Sequence, residues 1–278
     1  MKPQPMNTQP NPLSFPPQLG AAVQRHPYPL VFATISGAHL YGFASADSDW
    51  DLRGSHILPL PDVLGLKAGQ ETHELDQNDG EVELDLVTHD IHKFARLLLT
   101  RNGYVLEQVL SPLIVHTTPE HAELRDLARQ CVTRHHIYHY LGFTNNQWAM
   151  LEKEAAQPGG PRLKPLLYAF RTVLTGIHMM RSGEIEANLE TLALTVNEAA
   201  RLPFLAELIG LKREGREKER LPEPLSSYET DYRRLVQALE ATKETTVLPA
   251  AVPDKVEAAV NDWLIGTRLN VGGTEVQG

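Results

Sequence analysis

Alternating apolar and polar positions in the first third of the chain predict a small β-sheet. Residues 30–35 form a largely apolar run, which is typical of a buried strand. In residues 49–53, charged side chains alternate with Trp50 and Leu52, and residues 81–87 (EVELDLV) alternate in the same way. A period of two residues places successive side chains on opposite faces of a strand. These segments together predict a small mixed sheet.

From residue 91 onward, the apolar positions recur with the period of α-helices. The pattern predicts helices over residues 119–128, 163–180, 189–200, 203–211, 228–242 and 255–264. The fold class is therefore predicted to be α/β + α. An α/β domain of residues 21–116 is followed by a helical domain of residues 117–278.

Composition and charge restrict the classes of function. Residues 1–20 are rich in Pro, Gln and Asn and lack the apolar core of a signal peptide, which predicts a disordered tail and a cytoplasmic protein. No apolar run approaches the roughly 20 residues that cross a bilayer, so no membrane partner is expected. Cys131 is the only cysteine, which excludes an intramolecular disulfide and a zinc site of several cysteines. The net charge of -9 disfavours general nucleic-acid binding, so a nucleic-acid substrate would need a local basic patch.

The acidic residues of the predicted strands indicate a metal centre. Asp49 and Asp51 project from one face of a strand, and Asp85 lies on another strand. Two such carboxylates repel each other unless a cation lies between them. Mg²⁺ and Mn²⁺ prefer carboxylate and phosphate oxygens. We therefore predict that Asp49, Asp51 and Asp85 are metal ligands and catalytic residues, with Glu83, on the same face as Asp85, as the alternative third carboxylate.

Three segments resemble the DNA polymerase β superfamily of nucleotidyltransferases. They read ISGAHLYG, then SDWDLRG, then VELDLV, within residues 32–87. The superfamily pattern is an apolar strand, a Gly-Ser loop, an Asp-x-Asp pair and a third acidic residue on a later strand. Residues 86–99 and 163–189 resemble an uncharacterised bacterial branch that is related to polymerase-like proteins linked to RNA repair.

The resemblance implies both an architecture and a reaction. It implies a polymerase-β-like catalytic sheet with a helical domain that closes over the nucleotide. The implied reaction moves a nucleoside monophosphate from an NTP to a hydroxyl, with Mg²⁺ or Mn²⁺ as cofactor and release of pyrophosphate. The acceptor is left open between an RNA or DNA 3′ end, a protein and a small molecule. A catalytically inactive binding module with the same fold is the alternative from another class.

The loop between the first strand and the acidic pair is predicted to bind phosphate. Gly37 and Gly42 bound a turn in which backbone N–H groups can approach phosphate oxygens closely. Ala38 stands where the superfamily has a serine that contacts phosphate, and this substitution is the one feature that favours the inactive module. Ser36 or His39 is expected to take over the contact.

Further cationic residues are candidate nucleotide ligands. Arg53 follows the acidic pair on the same face and is predicted to hold a phosphate, with a surface ion pair as the alternative. Lys164, Tyr168 and Arg171 share one helix face and suit triphosphate binding, with a solvated face as the alternative. Residues 212–220 (KREGREKER) are read as an exposed segment and as the best candidate for a nucleic-acid contact.

Two histidines invite a metal interpretation that the sequence does not support. His135 and His139 are predicted to share a helix face, which would allow both rings to reach one ion. A third ligand to match them is not evident from the sequence, so no zinc site is predicted there.

Overall fold

A computed structural model describes residues 15–78, 80–199, 202–215 and 219–272. The strands are β1 (Leu30–Ile35), β2 (Trp50–His56), β3 (Thr72–Asn78), β4 (Glu83–Asp90) and β5 (Ile114–Thr117). The helices are α1 (Pro17–Gln24), α2 (Gly37–Tyr41), α3 (Leu60–Leu64), α4 (Ile91–Leu98), α5 (Gly103–Leu110), α6 (Pro119–Gln130), α7 (Ile137–Ala155), α8 (Leu163–Ser182), α9 (Leu189–Thr195), α10 (Phe204–Glu214), α11 (Ser226–Thr245) and α12 (Asp254–Gly272).

The five strands form one mixed sheet in the order β3-β4-β2-β1-β5. β2 and β4 run parallel, and every other neighbouring pair is antiparallel. All residues of β1 are buried, which explains an apolar run without alternation. In β4, Leu84 and Leu86 are buried while Asp85 between them points away from the core. The predicted sheet followed by helices is therefore confirmed.

The largest buried cluster extends through both predicted domains. It contains Phe32 of β1, Phe94 of α4, Phe170 of α8, Leu235 of α11 and Trp263 of α12. α8 lies at its centre, because fifteen of its twenty residues are buried. The predicted boundary between residues 116 and 117 falls inside β5, which pairs with β1.

The predicted disordered tail of residues 1–20 is wrong at its end, because α1 begins at Pro17. Leu19 is fully buried against the apolar residues Leu52, Leu84 and Leu86 on one face of the sheet. Burial of this face stabilises α1 despite the Pro-rich composition around it. Residues 1–14 of the predicted tail lie outside the described residues.

Most predicted helices are present, with three differences. The apolar stripe that begins at residue 91 is divided into α4 and α5, because Asn102 caps a new helix by accepting from the Tyr104 amide at 3.1 Å. The helix predicted over residues 189–200 ends at Thr195. Of α7 only a helix around His135 and His139 was predicted, and His135 lies in a 3₁₀ turn that precedes α7. Within the described ranges, none of the helices combines the length and the apolar composition that crossing a bilayer requires.

Three buried histidines make the stability of this fold dependent on pH. Burial lowers the pKa of His56, His121 and His136 to about 4, whereas histidine in an unfolded chain titrates near 6.5. Between these two values the unfolded state binds more protons than the folded state. The stability contributed by these groups is therefore complete above about pH 6.5 and is lost as the pH falls toward the folded pKa.

We expect the free energy of unfolding, measured by urea titration, to fall as the pH is lowered from about 7 to about 4, by up to roughly 1.4 kcal/mol per pH unit for each histidine. The urea midpoint should fall with it. His56→Gln should reduce this dependence, because a neutral amide has no proton to gain. A midpoint that is constant over this range would contradict the prediction.

Candidate functional site

Two carboxylates from parallel strands meet at one arginine. The register of β2 and β4 places Asp51 opposite Asp85. Arg53, two residues after Asp51, donates from Nη2 to Asp51 Oδ1 at 2.7 Å and to Asp85 Oδ2 at 2.7 Å. The repulsion expected between the two carboxylates is therefore offset by a cation from the chain itself.

The ion pairs of Arg53 do not lie on the surface, because this residue is only 9% exposed. Nη1 donates to the carbonyl oxygens of Leu52 at 3.0 Å and Asp85 at 2.7 Å, and Nε donates to Tyr104 Oη at 3.2 Å. With the two bonds from Nη2, all five N–H donors of the guanidinium are used. The predicted phosphate contact of Arg53 would therefore require some of these bonds to break. Burial lowers the pKa of Arg53, but Tyr104, Asp51 and Asp85 outweigh it and raise the pKa above its usual value.

Asp51 is held against the backbone of the preceding loop. A Cβ atom at Gly37 would lie 1.8 Å from Asp51 Oδ2, and Gly37 has a φ of +59°. Burial raises the pKa of Asp51 above its usual value. Asp49 and Asp85 act in the same direction, while Arg53 and Lys164 oppose them. Lys164 of α8 therefore lies close enough to Asp51 to act on its pKa.

We expect Gly37→Ala to displace the Asp51 carboxylate, because the added methyl group would occupy its place and the backbone would be strained at positive φ. Stability should fall by about 1 to 3 kcal/mol, measured by urea unfolding. Gly20→Ala in α1 is the matched control, because nothing lies within 4 Å of a Cβ there. Equal stability of the two variants in urea would show that the close approach of Gly37 to Asp51 does not affect folding.

Of the other predicted loop residues, Ser36 is buried next to Asp51 and His39 is partly buried against Trp50. Ser36 is fully buried, and its amide donates to the Asp51 carbonyl at 2.8 Å. The His39 ring stacks on Trp50 with centroids 3.7 Å apart, and burial lowers the pKa of His39. Within the described residues, Ser36 Oγ and His39 Nε2 are buried and have no hydrogen-bond partner. Ala38 lies in the large apolar cluster, where a serine hydroxyl would be poorly satisfied.

Asp49 lies just before β2, on a loop that the helical part of the chain holds in place. Ser45 lies in this loop, and its amide donates to Ser48 Oγ at 3.0 Å. Lys212 of α10 donates from Nζ to Ser45 Oγ at 2.7 Å and is fully buried. The prediction that residues 212–220 form an exposed segment is therefore wrong at Lys212. Residues 216–218 of that segment lie outside the described residues.

A further acidic residue was not found from the sequence. Asp76 of β3 lies opposite Asp85 in the antiparallel register. It lines a cavity of about 310 Å³ together with Asp49, Glu83 and Asp85. β3 was not predicted because its sequence, THELDQN, is almost entirely polar. Such a composition is possible because β3 lies at the edge of the sheet, where its side chains are only partly buried or exposed. Its position in a polar stretch before a turn was the only available signal.

A second cavity, of about 370 Å³, opens beside Asp51 and Gly37. Its size is in the range of small-molecule sites. The remaining lining is mostly aromatic and consists of Tyr41, Tyr104, Glu107, His139, Phe143, Tyr168 and Arg171. The structure thus brings Asp51, Gly37, Tyr168 and Arg171, four of the predicted site residues, to one cavity.

Arg171 has a different environment from the one predicted. Its Nη1 donates to Glu107 Oε1 at 2.8 Å, and both side chains are almost completely buried. Its guanidinium lies 3.9 Å from the Tyr41 ring centroid, and the Tyr41 hydroxyl donates to Glu107 Oε2 at 3.3 Å. Because the charge is neutralised inside the protein, the solvated-face alternative is wrong for Arg171. Lys164 is half-buried, with Nζ 5.8 Å from the Tyr168 ring centroid.

The donor set suits a metal ion that is bound jointly with a nucleotide. Within the described part of the chain, no three His, Cys, Asp or Glu side chains are grouped as ligands of one ion. This includes the predicted acidic trio, because Arg53 holds Asp51 and Asp85. Mg²⁺ is commonly bound through only one or two carboxylates, with substrate phosphates and waters as its other ligands. Asp51 and Asp85, which already converge on one cationic nitrogen, fit that requirement.

Comparisons with known proteins place this chain in a family. The model of the RNA repair pathway DNA polymerase beta family matches residues 16–266. An uncharacterized protein of Methanocaldococcus jannaschii is 30% identical over 160 residues, which are 57% of this chain and 63% of that protein, less than two thirds of its length. The uncharacterized protein YcgL of Bacillus subtilis is 25% identical over 225 residues, which are 77% of this chain and 82% of that protein.

One solved structure is also similar. It is a nucleotidyltransferase-like protein from Exiguobacterium sibiricum 255-15, with 13% identity and a TM-score of 0.30, over 92% of this chain and 86% of that chain. The family match confirms the resemblance to the DNA polymerase β superfamily and the polymerase-β-like nucleotidyltransferase fold.

Proposed function

Because this chain belongs to the RNA repair pathway DNA polymerase beta family, we propose that it transfers a nucleoside monophosphate from an NTP to a hydroxyl acceptor. Pyrophosphate is the other product, and Mg²⁺ or Mn²⁺ is the cofactor. The observation that carries this proposal is the convergence of Asp51 and Asp85 on Arg53 Nη2, at 2.7 Å each, beside a cavity of suitable size.

The carboxylates and the cavity have separate tasks in this proposal. Asp49 and Asp51 would hold the metal ion that binds with the triphosphate, and Asp85 would join them in holding a second metal ion next to the acceptor. A bound divalent ion supplies charge stabilisation to the triphosphate and to the attacking oxygen. The aromatic side chains of the larger cavity, Tyr168 among them, would enclose the nucleoside. Lys164 would add positive charge for the phosphates, because it lies within electrostatic range of Asp51.

The transfer step balances without any further reactant. A bond forms between the acceptor oxygen and the α-phosphorus, and the bond from the α-phosphorus to the bridging oxygen breaks. The electron pair of the broken bond leaves with pyrophosphate, and the proton of the hydroxyl passes to a carboxylate oxygen of Asp85. Most of the rate acceleration is then expected from positioning and charge stabilisation.

The decisive experiment incubates the protein with each labelled NTP and Mg²⁺, against separate pools of RNA, DNA and cell protein. Labelled product in one pool identifies the acceptor class. Label in none of the pools, together with measurable nucleotide binding, would favour the inactive module.

We expect Mg²⁺ and an NTP together to raise the melting temperature. Ligand at 100 times its Kd adds about 2.7 kcal/mol to the stability of the folded state, which for a chain of this size is roughly 5 to 10 °C. The metal alone or the nucleotide alone should give less, because each completes only part of the site. Asp51→Asn is the control and should lose the joint effect. A melting temperature indifferent to the pair at millimolar concentrations would contradict the proposed function.

A further inference from the structure

Exposed cations surround an exposed tyrosine near the start of α7. Arg101 Cζ lies 5.6 Å from the Tyr138 ring centroid, and Lys243 Nζ lies 5.1 Å from the same centroid. Lys243 Nζ also donates to Tyr138 Oη at 2.8 Å, and the His135 ring is 6.0 Å from the Tyr138 ring. Arg134 is exposed beside them. These five residues are called the basic–aromatic patch.

The patch is assembled from three parts of the chain that are distant in sequence. Arg101 precedes α5, Arg134 and His135 precede α7, and Lys243 is in the last turn of α11. The hydrogen bond that Lys243 donates to Tyr138 raises the pKa of Lys243, and Glu244 acts in the same direction, while Arg134 opposes it. Arg134 and Lys243 therefore lie near each other despite the repulsion between their charges.

In the part of the chain that the structure describes, the three cations of the patch lack a salt bridge, although Glu244 acts on the pKa of Lys243. Arg101, Arg134 and Lys243 form no salt bridge with any residue in the described ranges. Tyr138 is 43% exposed, and Arg101 and Lys243 lie over its ring. In a chain with a net charge of -9, this local concentration of positive charge suits an anionic ligand.

The patch adjoins the larger cavity. Tyr138 directly precedes His139, and Arg101 is three residues before Tyr104; both His139 and Tyr104 line the cavity with Asp51. α5 and α7 are in close contact here, because a Cβ atom at Gly103 would lie 2.8 Å from His139 Cδ2. Tyr104 also accepts the hydrogen bond from Arg53 Nε. The patch residues thus flank Tyr104 and His139 in sequence, and Tyr104 is bonded to the arginine that holds the carboxylates.

We propose that the basic–aromatic patch binds the single-stranded end of the nucleic acid whose hydroxyl accepts the nucleotide. This inference rests on the proposed function and narrows its acceptor to nucleic acid. Cations spaced around a flat exposed ring match the alternation of phosphates and bases in a single strand. An acidic segment of a protein would use the cations but would gain little from the ring, so the combination favours nucleic acid over protein.

The test measures binding of a labelled single-stranded RNA of about 12 nucleotides by fluorescence anisotropy, without NTP, from about 50 to about 200 mM salt. A DNA of the same sequence forms the second arm. Tyr138→Ala should weaken binding about tenfold, whereas Tyr138→Phe should retain most of the affinity because it keeps the stacking ring. Arg101→Gln with Arg134→Gln should make the slope of log K against log salt shallower by about 1.4, which is about 0.7 for each lost phosphate contact.

The matched control is Lys67→Gln with Lys153→Gln, which removes the same charge from exposed positions outside the patch. Its salt slope should equal that of the parent protein. Equal affinity and slope in the patch variants and the control would overturn the inference, as would failure of both RNA and DNA to bind at about 50 mM salt. Label transfer to a protein pool that depends on the patch would also overturn it.

The two proposals fail in different ways. Patch-dependent binding of RNA or DNA without any nucleotide transfer would support the patch and remove the proposed function. Transfer to an RNA or DNA end that the patch variants leave unchanged would retain the function and remove the patch. Melting curves of each variant separate loss of binding from loss of folding.

Discussion

Asp51→Asn is expected to reduce nucleotide transfer by at least about a thousandfold, which corresponds to roughly 4 kcal/mol of barrier. The amide has no charge with which to hold a divalent ion, and Asp51 is one of the two carboxylates that converge on Arg53 Nη2. Asp49→Asn should show the same loss. Removal of a single preorganised electrostatic contact in other enzymes costs a factor of about 100 to 1,000, and metal binding adds to that.

The fold should survive Asp51→Asn at a cost of about 1 to 3 kcal/mol, because Arg53 loses one charged partner but keeps Asp85 and the carbonyl contacts. Transfer is measured with labelled NTP and folding by urea unfolding. Asp126→Asn on the exposed side of α6 is the control, with no change expected in either. Activity that persists within about tenfold would show that Asp51 is not a metal ligand in the reacting complex.

The second large effect distinguishes Asp85 from Glu83. We expect Asp85→Asn to abolish transfer and to bind Mg²⁺–NTP nearly as well as the parent protein, because in the proposed mechanism Asp85 serves the acceptor side of the site. Glu83→Gln should lose far less activity. Glu83 is exposed at the first position of β4, whereas Asp85 Oδ2 lies 2.7 Å from Arg53 Nη2.

Calorimetric nucleotide affinity and the transfer rate should be measured together for both variants. If Glu83→Gln proves inactive and Asp85→Asn active, the third carboxylate has been assigned to the wrong residue. Loss of affinity and rate together in Asp85→Asn would instead place Asp85 on the nucleotide side of the site.

Local patterns in the sequence are sufficient to predict the strands that carry the acidic residues. The alternation around Asp51 and Asp85 reflects a sheet with one buried face, and that face is filled by Leu52, Leu84 and Leu86. Period and composition also predict α8, because an apolar helix with few polar positions must be buried.

Pairings between residues that are distant in sequence could not be predicted in the same way. Arg171 and Glu107 are 64 positions apart, and a helical period cannot indicate that a cation on one helix will be neutralised by another. Arg53 was correctly placed beside Asp51, but its bond to Asp85 depends on the parallel register of β2 and β4. Asp76 was missed because a weakly patterned edge strand has little periodic signal.

The hydrogen bond from buried Lys212 to Ser45 makes the loop of the acidic motif dependent on the helical part of the chain. The two residues are 167 positions apart, yet this contact holds the loop that leads to Asp49. A fragment that ended before α10 would leave Ser45 without this donor and would expose part of the shared core. The sheet is therefore not expected to keep this loop conformation without the helices. Grafting residues 32–87 into another protein would transfer the sequence of the motif without Lys212, whose hydrogen bond to Ser45 helps to position the loop.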